Sequence, residues 1–143
     1  MDLTIRDARP EDADAIAGLL TQLGYPSEAE TVEGRLDRLQ VVGDRVVVAE
    51  LDDRVVGLAH LQVSPALERD RPAAKVGALV VDEAHRGHGI GRALVEAAEA
   101  EARLRGCELL FLTTADRRDD AHAFYESLGL ELTGRRYGRT LSE

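Results

Sequence analysis

The feature that most constrains this chain is a glycine-rich run in its second half. Gly87, Gly89 and Gly91 lie between an apolar segment typical of a strand and the start of a long amphipathic helix. Glycines at alternate positions remove the Cβ atoms that would block an anion. The first N–H groups of a helix lack intrahelical partners and lie at its positive end. The run Arg86–Ala93 therefore predicts a cradle for the phosphate groups of a cofactor.

Length and composition are those of one globular domain, residues 1–143. With 44% hydrophobic and 31% charged residues, the chain can bury a core. Its apolar segments are far shorter than the roughly 20 residues of a membrane-spanning helix, and its first residues lack the apolar run of a secretory signal. The lone Cys107 cannot form an internal disulfide and fits a reducing compartment. We therefore expect a cytoplasmic protein with no membrane partner.

The charge balance bears on the class of partner. A formal net charge of −9 disfavours a surface for nucleic acids or anionic membranes, because such surfaces rely on Lys and Arg to neutralise phosphates. An acidic surface attracts cationic substrates, and it also serves solubility. Arginines do occur near the glycine run and the later helix. We expect the arginines available to an anionic cofactor to be Arg86, Arg92, Arg117 and Arg118.

Hydrophobic periodicity predicts strands and helices in the order β-α-α-β-β-β-α-β-α-β. The pair Asp52-Asp53 is typical of a tight hairpin turn, and Ser27 is a candidate N-cap. The predicted segments are Leu3–Arg6, Pro10–Leu23, a helix from Ser27 or Glu28 to Leu39, Arg45–Leu51, Arg54–Val63, Val76–Val81, a helix from Gly89 or Ile90 to Arg105, Leu109–Thr114, Asp119–Leu128 and Leu130–Thr133.

Two common phosphate-binding motifs do not fit the glycine run. A dinucleotide fingerprint needs G-x-G-x-x-G in the first strand-to-helix unit, whereas here the third glycine comes one residue early and past the middle of the chain. A P-loop ends in Gly-Lys-Ser/Thr, whereas Arg92-Ala93 follows here. The pattern Arg-x-x-Gly-x-Gly, formed by Arg86, Gly89 and Gly91, resembles the acetyl-CoA-binding signature of the GNAT superfamily of N-acetyltransferases.

A second segment supports this resemblance. Residues 121–129 read A-H-A-F-Y-E-S-L-G and are similar to the superfamily's A-x-x-F-Y-x-x-x-G segment downstream of the fifth strand. The predicted element order also agrees, so the resemblance covers nearly the whole chain. It implies an α/β (α+β) fold, with a mixed, mostly antiparallel sheet of six to seven strands, about four flanking helices, and a splay between strands 4 and 5.

The resemblance implies an N-acetyltransferase that moves an acetyl group from acetyl-CoA to a primary amine by direct attack on the thioester, without a metal. A homodimer is a further expectation from the superfamily. The backbone of Leu79, Val80 and Val81 would pair with the pantetheine arm, and an amide near Val81 would polarise the thioester carbonyl. Arg118 would contact coenzyme A phosphate or remain in solvent. The diphosphate would be held by Arg86, Gly87, His88, Gly89, Ile90, Gly91 and Arg92.

The resemblance also implies a general acid and leaves the general base open. Tyr125 stands where many relatives place the acid for the coenzyme A thiolate, and its neighbour Phe124 is expected in the core. Relatives often carry a glutamate in the fourth strand, but Lys75 and Ala78 stand there in this chain. Two other residues are candidates for the general base. One is His60, since an imidazole titrates at about pH 6.5, and the other is Glu50. A third alternative is that the amine arrives neutral.

The acceptor is only broadly indicated. Tyr25 lies between the first two helices, a segment that the resemblance associates with the acceptor site, and it either lines that site or packs against a helix. The acidic charge balance favours a small cationic amine. A different class of function is an acetyl-CoA-binding sensor or interaction module that transfers nothing. The missing carboxylate in the fourth strand favours that alternative, whereas Tyr125 disfavours it.

Overall fold

The computed structural model describes residues 2–113, 119–134 and 136–141. The chain forms two compact units, Met1–Leu112 and Thr113–Glu143. The second unit contains α4 (Asp119–Ser127). The first unit contains, in chain order, β1 (Leu3–Asp7), a 3-10 turn (Pro10–Asp12), α1 (Ala13–Leu23), α2 (Ala29–Val41), β2 (Arg45–Leu51), β3 (Arg54–Ser64), β4 (Ala73–Val81), a second 3-10 turn (Glu83–His85), α3 (Ile90–Leu104) and β5 (Leu109–Leu112). No helix of the described part of the chain has the length and apolar character needed to cross a bilayer.

The strands form one mixed sheet in the order β1-β2-β3-β4-β5. The pairs from β1 to β4 are antiparallel, and β5 runs parallel to β4. The predicted α/β architecture with four helices is confirmed. The strand predicted at Leu130–Thr133 is wrong, because those residues pair with no strand and leave Leu132 81% exposed. The described residues therefore hold five strands rather than six or seven.

The last strand pairs with only the first half of β4. Residues Ala73–Val76 lie opposite Leu109–Leu112, while β4 continues to Val81. Within residues 2–113, 119–134 and 136–141, no strand pairs with this edge of β4 beyond Val76. The two strands therefore part at Val76, which is the predicted splay. We call residues 77–81 the open edge of β4.

Two hydrophobic cores lie on opposite faces of the sheet. Side chains alternate between the faces along each strand, so apolar runs such as Val46–Ala49 contribute to both. One core, under α1 and α2, includes Ile16, Leu19, Val32, Val48 and Leu58. The other, under α3, includes Ala49, Val56, Val76, Leu94 and Ala98. Each helix layer is thus fixed to the sheet by its own buried apolar face.

The sequence predicts the turn between β2 and β3 correctly but not the residue that caps α2. Asp52 and Asp53 both have positive φ, at 50° and 65°, as the predicted tight hairpin requires. The predicted Ser27 cap is wrong, because the N-cap of α2 is Glu28. The Ser27 hydroxyl instead donates to the Tyr25 carbonyl at 2.8 Å and accepts from Arg35 at 3.1 Å. These loop contacts use the groups that would otherwise cap the helix.

Candidate active site

The glycine run forms the turn between β4 and α3. Gly87 and Gly89 have φ of 85° and 78°, in the left-handed region that other residues rarely adopt, and Gly89 is the N-cap of α3. A Cβ atom built on either glycine meets no atom within 4 Å. Glycine is therefore required here by the backbone conformation, while the space beside the turn is open to a ligand. We call Arg86–Arg92 the cradle.

The N-terminus of α3 supplies donors to the cradle. Its first ladder hydrogen bond runs from the Ala93 N–H to the Gly89 carbonyl, at 3.1 Å. The N–H groups of Ile90 and Gly91 precede this bond and have no carbonyl one turn earlier within the helix. No acidic side chain lies in the first turn of α3, so no carboxylate there offsets the positive end of the helix dipole. This arrangement fits a diphosphate.

Two residues of β4 direct their backbone groups to the open edge. The Asp82 N–H donates to the Val56 carbonyl of β3 at 2.8 Å. Backbone groups alternate sides along a strand, so Val80, two residues earlier, also faces β3. Leu79 and Val81 face away from β3. The backbone of Leu79 and the N–H of Val81 can pair with an extended ligand, whereas the Val81 carbonyl accepts from Arg86. The resemblance suggests three β4 residues for this pairing. The backbone groups of one of them, Val80, instead pair with β3 within the sheet.

Basic side chains flank the end of this edge. Arg86 is exposed, and its Nε donates to the Val81 carbonyl at 3.3 Å. Its guanidinium therefore lies where the open edge meets the cradle. His88 and Arg92 are also exposed. The other two expected arginines, at residues 117–118, lie outside the described residues.

Side-chain hydrogen bonds connect α1 to the segment before the cradle, and no sequence pattern indicated them. Gln22 Nε2 donates to Asp82 Oδ1 at 3.0 Å, and Gln22 Oε1 accepts from the Glu83 N–H at 3.0 Å. His85 Nδ1 lies 2.9 Å from Asp82 Oδ2. The hydrogen bond from Gln22, followed by that with His85, lowers the pKa of Asp82 below its usual value. Since no local pattern relates residues 60 apart, only the folded chain shows this contact.

A β-bulge interrupts β4 where it leaves β5. The register shifts between Ala59–Leu61 of β3 and Val76–Leu79 of β4, so Gly77 and Ala78 together oppose His60. A Cβ atom on Gly77 would lie 2.7 Å from His60 Nδ1, so the imidazole packs directly against the glycine. A glycine inside a strand is the sequence signal that could have indicated this bulge.

The two candidate bases have different surroundings. His60 Nε2 lies 2.8 Å from Asp44 Oδ2. The Glu50 carboxylate accepts from Arg6 Nε at 3.0 Å and Nη2 at 2.8 Å, and Arg6 also binds Asp12. Glu50 therefore takes part in a cluster that joins β1, β2 and the turn before α1. His60 is paired through one nitrogen only among the described residues.

The two candidate tyrosines occupy different settings. Tyr25 is 63% exposed, in the loop between α1 and α2, and its N–H donates to the Leu20 carbonyl at 2.9 Å. The Tyr125 ring in α4 is half-buried, with its centroid 5.6 Å from that of Phe124. Phe124 is 36% exposed, so its predicted core position is wrong. The contact with Tyr125 covers part of the Phe124 ring and leaves the rest at the helix surface.

The chain matches the acetyltransferase (GNAT) family over residues 14–130. It is 31% identical over 140 residues to an aminoalkylphosphonate N-acetyltransferase of Salmonella typhimurium, covering 96% of this chain and 90% of that protein. It is 32% identical over 136 residues to an aminoglycoside N(6′)-acetyltransferase type 1 of Stenotrophomonas maltophilia, covering 92% and 88%. An aminoglycoside N-acetyltransferase solved with coenzyme A has the same fold, with a TM-score of 0.84, 18% identity and coverage of 99% of this chain and 96% of that one. The chain therefore belongs to the acetyltransferase (GNAT) family, whose N-acetyltransferases use acetyl-CoA as the acetyl donor.

Proposed function

We propose that this enzyme acetylates the primary amine of a small cationic acceptor by direct attack of the amine on the thioester of acetyl-CoA. The observation that carries the proposal is the continuity of the open edge of β4 with the cradle, which offers strand pairing and diphosphate donors in sequence. The net charge of −9 favours a cationic acceptor. The two relatives of about one-third identity are named for the N-acetylation of amino compounds, an aminoalkylphosphonate and an aminoglycoside.

The position of the cradle sets the direction of the pantetheine arm. Because the cradle follows the C-terminal end of β4, an arm that starts there runs back from Val81 towards Gly77. The backbone groups of Leu79 and Val81 lie along this path. Residues 77–81 span about 13 Å of strand, a length that an extended pantetheine arm can cover. We therefore propose that the thioester lies near Gly77, rather than near Val81 as the resemblance implies.

The reaction needs two proton movements besides the acyl transfer. The amine nitrogen bonds to the thioester carbon, and the C–S bond breaks as the adduct collapses. A protonated acceptor gives up one proton before attack and a second on collapse. We assign Tyr125 the donation of a proton to the departing thiolate, since a phenol is protonated at neutral pH. The second amine proton then restores the phenol, so that the products are an amide, a free thiol and one released proton.

Release of free thiol from acetyl-CoA across a panel of primary amines tests the proposal. We expect small cationic amines to raise thiol release well above hydrolysis and to gain one acetyl group by mass spectrometry. Anionic and neutral compounds of similar size serve as controls for the charge preference. Tight binding of acetyl-CoA without amine-dependent thiol release would contradict the proposal.

The Tyr125→Phe variant tests the general acid. Because the variant keeps the ring and loses only the hydroxyl, we expect kcat to fall about a hundredfold, with the Kd for acetyl-CoA within about twofold of wild type. Tyr137→Phe is the matched control, since Tyr137 is 93% exposed. Equal losses in kcat and affinity would assign Tyr125 a packing role.

A further inference from the structure

A histidine–aspartate pair lies at the point where β4 leaves β5. His60 Nε2 is 2.8 Å from Asp44 Oδ2, and the Asp44 side chain is only 6% exposed. Asp44 precedes β2, where its N–H donates to the Leu39 carbonyl at 3.0 Å. Within the described part of the chain, the imidazole is the hydrogen-bonding partner of this carboxylate. A nearly buried carboxylate bonded to one ring nitrogen holds the imidazole in one orientation.

The contact with Asp44 determines which nitrogen is available for proton transfer. A carboxylate beside Nε2 favours the tautomer that carries its proton on Nε2, and this assignment follows from the hydrogen bond. Nδ1 of His60 then has a lone pair. No described residue hydrogen-bonds to Nδ1. The lone pair is free to accept a proton from a ligand.

Gly77 lies against this nitrogen and has no side chain to cover it. It is the first residue of β4 beyond the pairing with β5, and a Cβ atom there would lie 2.7 Å from His60 Nδ1. Neighbouring strands lie about 4.8 Å apart. Only β4 therefore lies between the imidazole of His60 on β3 and an acyl group at the open edge. At Gly77, β4 has no side chain between the two groups. The thioester position proposed above lies at the same end of the edge.

We propose that His60 is the general base of the transfer and that Asp44 is its positioning residue, an inference that rests on the proposed acetyl transfer. Nδ1 takes one proton from the acceptor ammonium, which leaves a neutral amine to attack the thioester carbon. The Asp44 carboxylate stabilises the imidazolium that forms. The imidazolium then returns its proton to solvent, and the second amine proton follows the route through Tyr125. A carboxylate in the fourth strand is not required by this mechanism.

The kcat for an alkylamine acceptor tests both residues. We expect His60→Gln to lower kcat about a hundredfold and Asp44→Asn about tenfold, with the Kd for acetyl-CoA unchanged in both. Gln62→Ala, on the same strand and exposed, and Asp37→Asn, exposed on α2, are matched controls that should leave kcat unchanged. Gly77→Ala keeps both residues of the pair but places a methyl group against Nδ1, and it should lower kcat for the same acceptor.

A second acceptor separates proton removal from a structural role. Fluorine atoms beside the amine of the same acceptor keep it mostly neutral at neutral pH, so it needs no base. We expect His60→Gln and wild type to acetylate this analogue at similar kcat. An equal loss for both acceptors would overturn the proposal, as would an unchanged kcat for the alkylamine in either His60→Gln or Asp44→Asn. If His60→Gln does not fold, Asp44→Asn gives the same comparison. Wild type that binds acetyl-CoA and acetylates neither acceptor would overturn the proposed function itself.

Discussion

Gly89 in the cradle and Gly106 after α3 share a backbone conformation but differ in what lies beside them. Their φ values are 78° and 75°, and a Cβ atom on either meets nothing within 4 Å. Alanine at either position should cost about 1–2 kcal/mol through the left-handed conformation alone. Only Gly89→Ala adds a methyl group to the proposed diphosphate site. The pair therefore separates backbone strain from binding.

We expect Gly89→Ala and Gly106→Ala to lose similar free energy of unfolding, measured by urea titration. The Kd for acetyl-CoA, measured by calorimetry, should rise about tenfold or more in Gly89→Ala, since the cradle loses amide contacts worth at least one charged hydrogen bond. Gly106→Ala should bind acetyl-CoA as wild type does. Unchanged affinity in Gly89→Ala would remove the cradle from the binding site.

At the scale of elements, the ion cluster around Arg6 joins β1, β2 and the turn before α1. Arg6 donates to Asp12 at 2.8 Å and 2.9 Å and to Glu50 at 2.8 Å. The Arg6 hydrogen bond is the main cause that lowers the pKa of Asp12 below its usual 3.8. Because the folded-state pKa is lowered, the charged Asp12 stabilises the fold above pH 3.8, and this contribution is lost as pH falls through the folded-state value.

Asp12→Asn should lower the free energy of unfolding at neutral pH by about 1–3 kcal/mol, since it leaves part of the Arg6 guanidinium unpaired. The variant should also lose less stability than wild type on acidification below pH 3.8. Urea unfolding at neutral and acidic pH measures both effects. Glu11→Gln, an exposed carboxylate of the same turn, serves as the control and should change stability far less. A parallel pH dependence in Asp12→Asn and wild type would contradict the assigned role.

Elements with local boundary signals are the ones that the sequence predicts well. The Asp52-Asp53 turn and the start of α3 after Gly89 depend on backbone conformation within a few residues. The strand predicted to begin at Val76 begins instead at Ala73, because its first half is stabilised by pairing with both β3 and β5. Alanine has little strand preference of its own. Pairing partners, which are distant in sequence, decided that boundary.

The candidate site divides in the same way. The cradle glycines and Tyr125 belong to motifs that can be read along the chain. The environment of His60 could not be predicted, because Asp44 reaches it through the α2–β2 connection and the bulge at Gly77 depends on strand register. The pairing of Glu50 with Arg6 depends on the β1–β2 register. Register is a property of the assembled sheet, so no local pattern contains it.

At the scale of the whole Met1–Leu112 unit, the cradle depends on the core beneath α3. Ile90 and Leu94 of the first turns of α3 are 3% and 0% exposed. A Cβ atom on Gly57 of β3 would lie 3.1 Å from Leu94 Cδ1 and 3.2 Å from Ile90 Cγ2. These distances are shorter than ordinary packing contacts. A single methyl group at residue 57 would therefore push on the helix whose N-terminus forms the cradle.

Gly57→Ala should lower the free energy of unfolding by about 1–3 kcal/mol through overpacking, and it should weaken acetyl-CoA binding although residue 57 is buried beneath α3. Gly34→Ala is the matched control, because its Cβ atom on α2 meets only Arg38 Nη1 at 3.6 Å. That substitution should raise stability by about 0.5–1 kcal/mol and leave the Kd unchanged. Urea unfolding and calorimetry on both variants measure the two quantities. A displaced helix carries its N–H groups with it, so a shift of α3 should move the donors of the cradle. If Gly57→Ala loses stability but keeps wild-type affinity for acetyl-CoA, the cradle does not depend on the packing of α3.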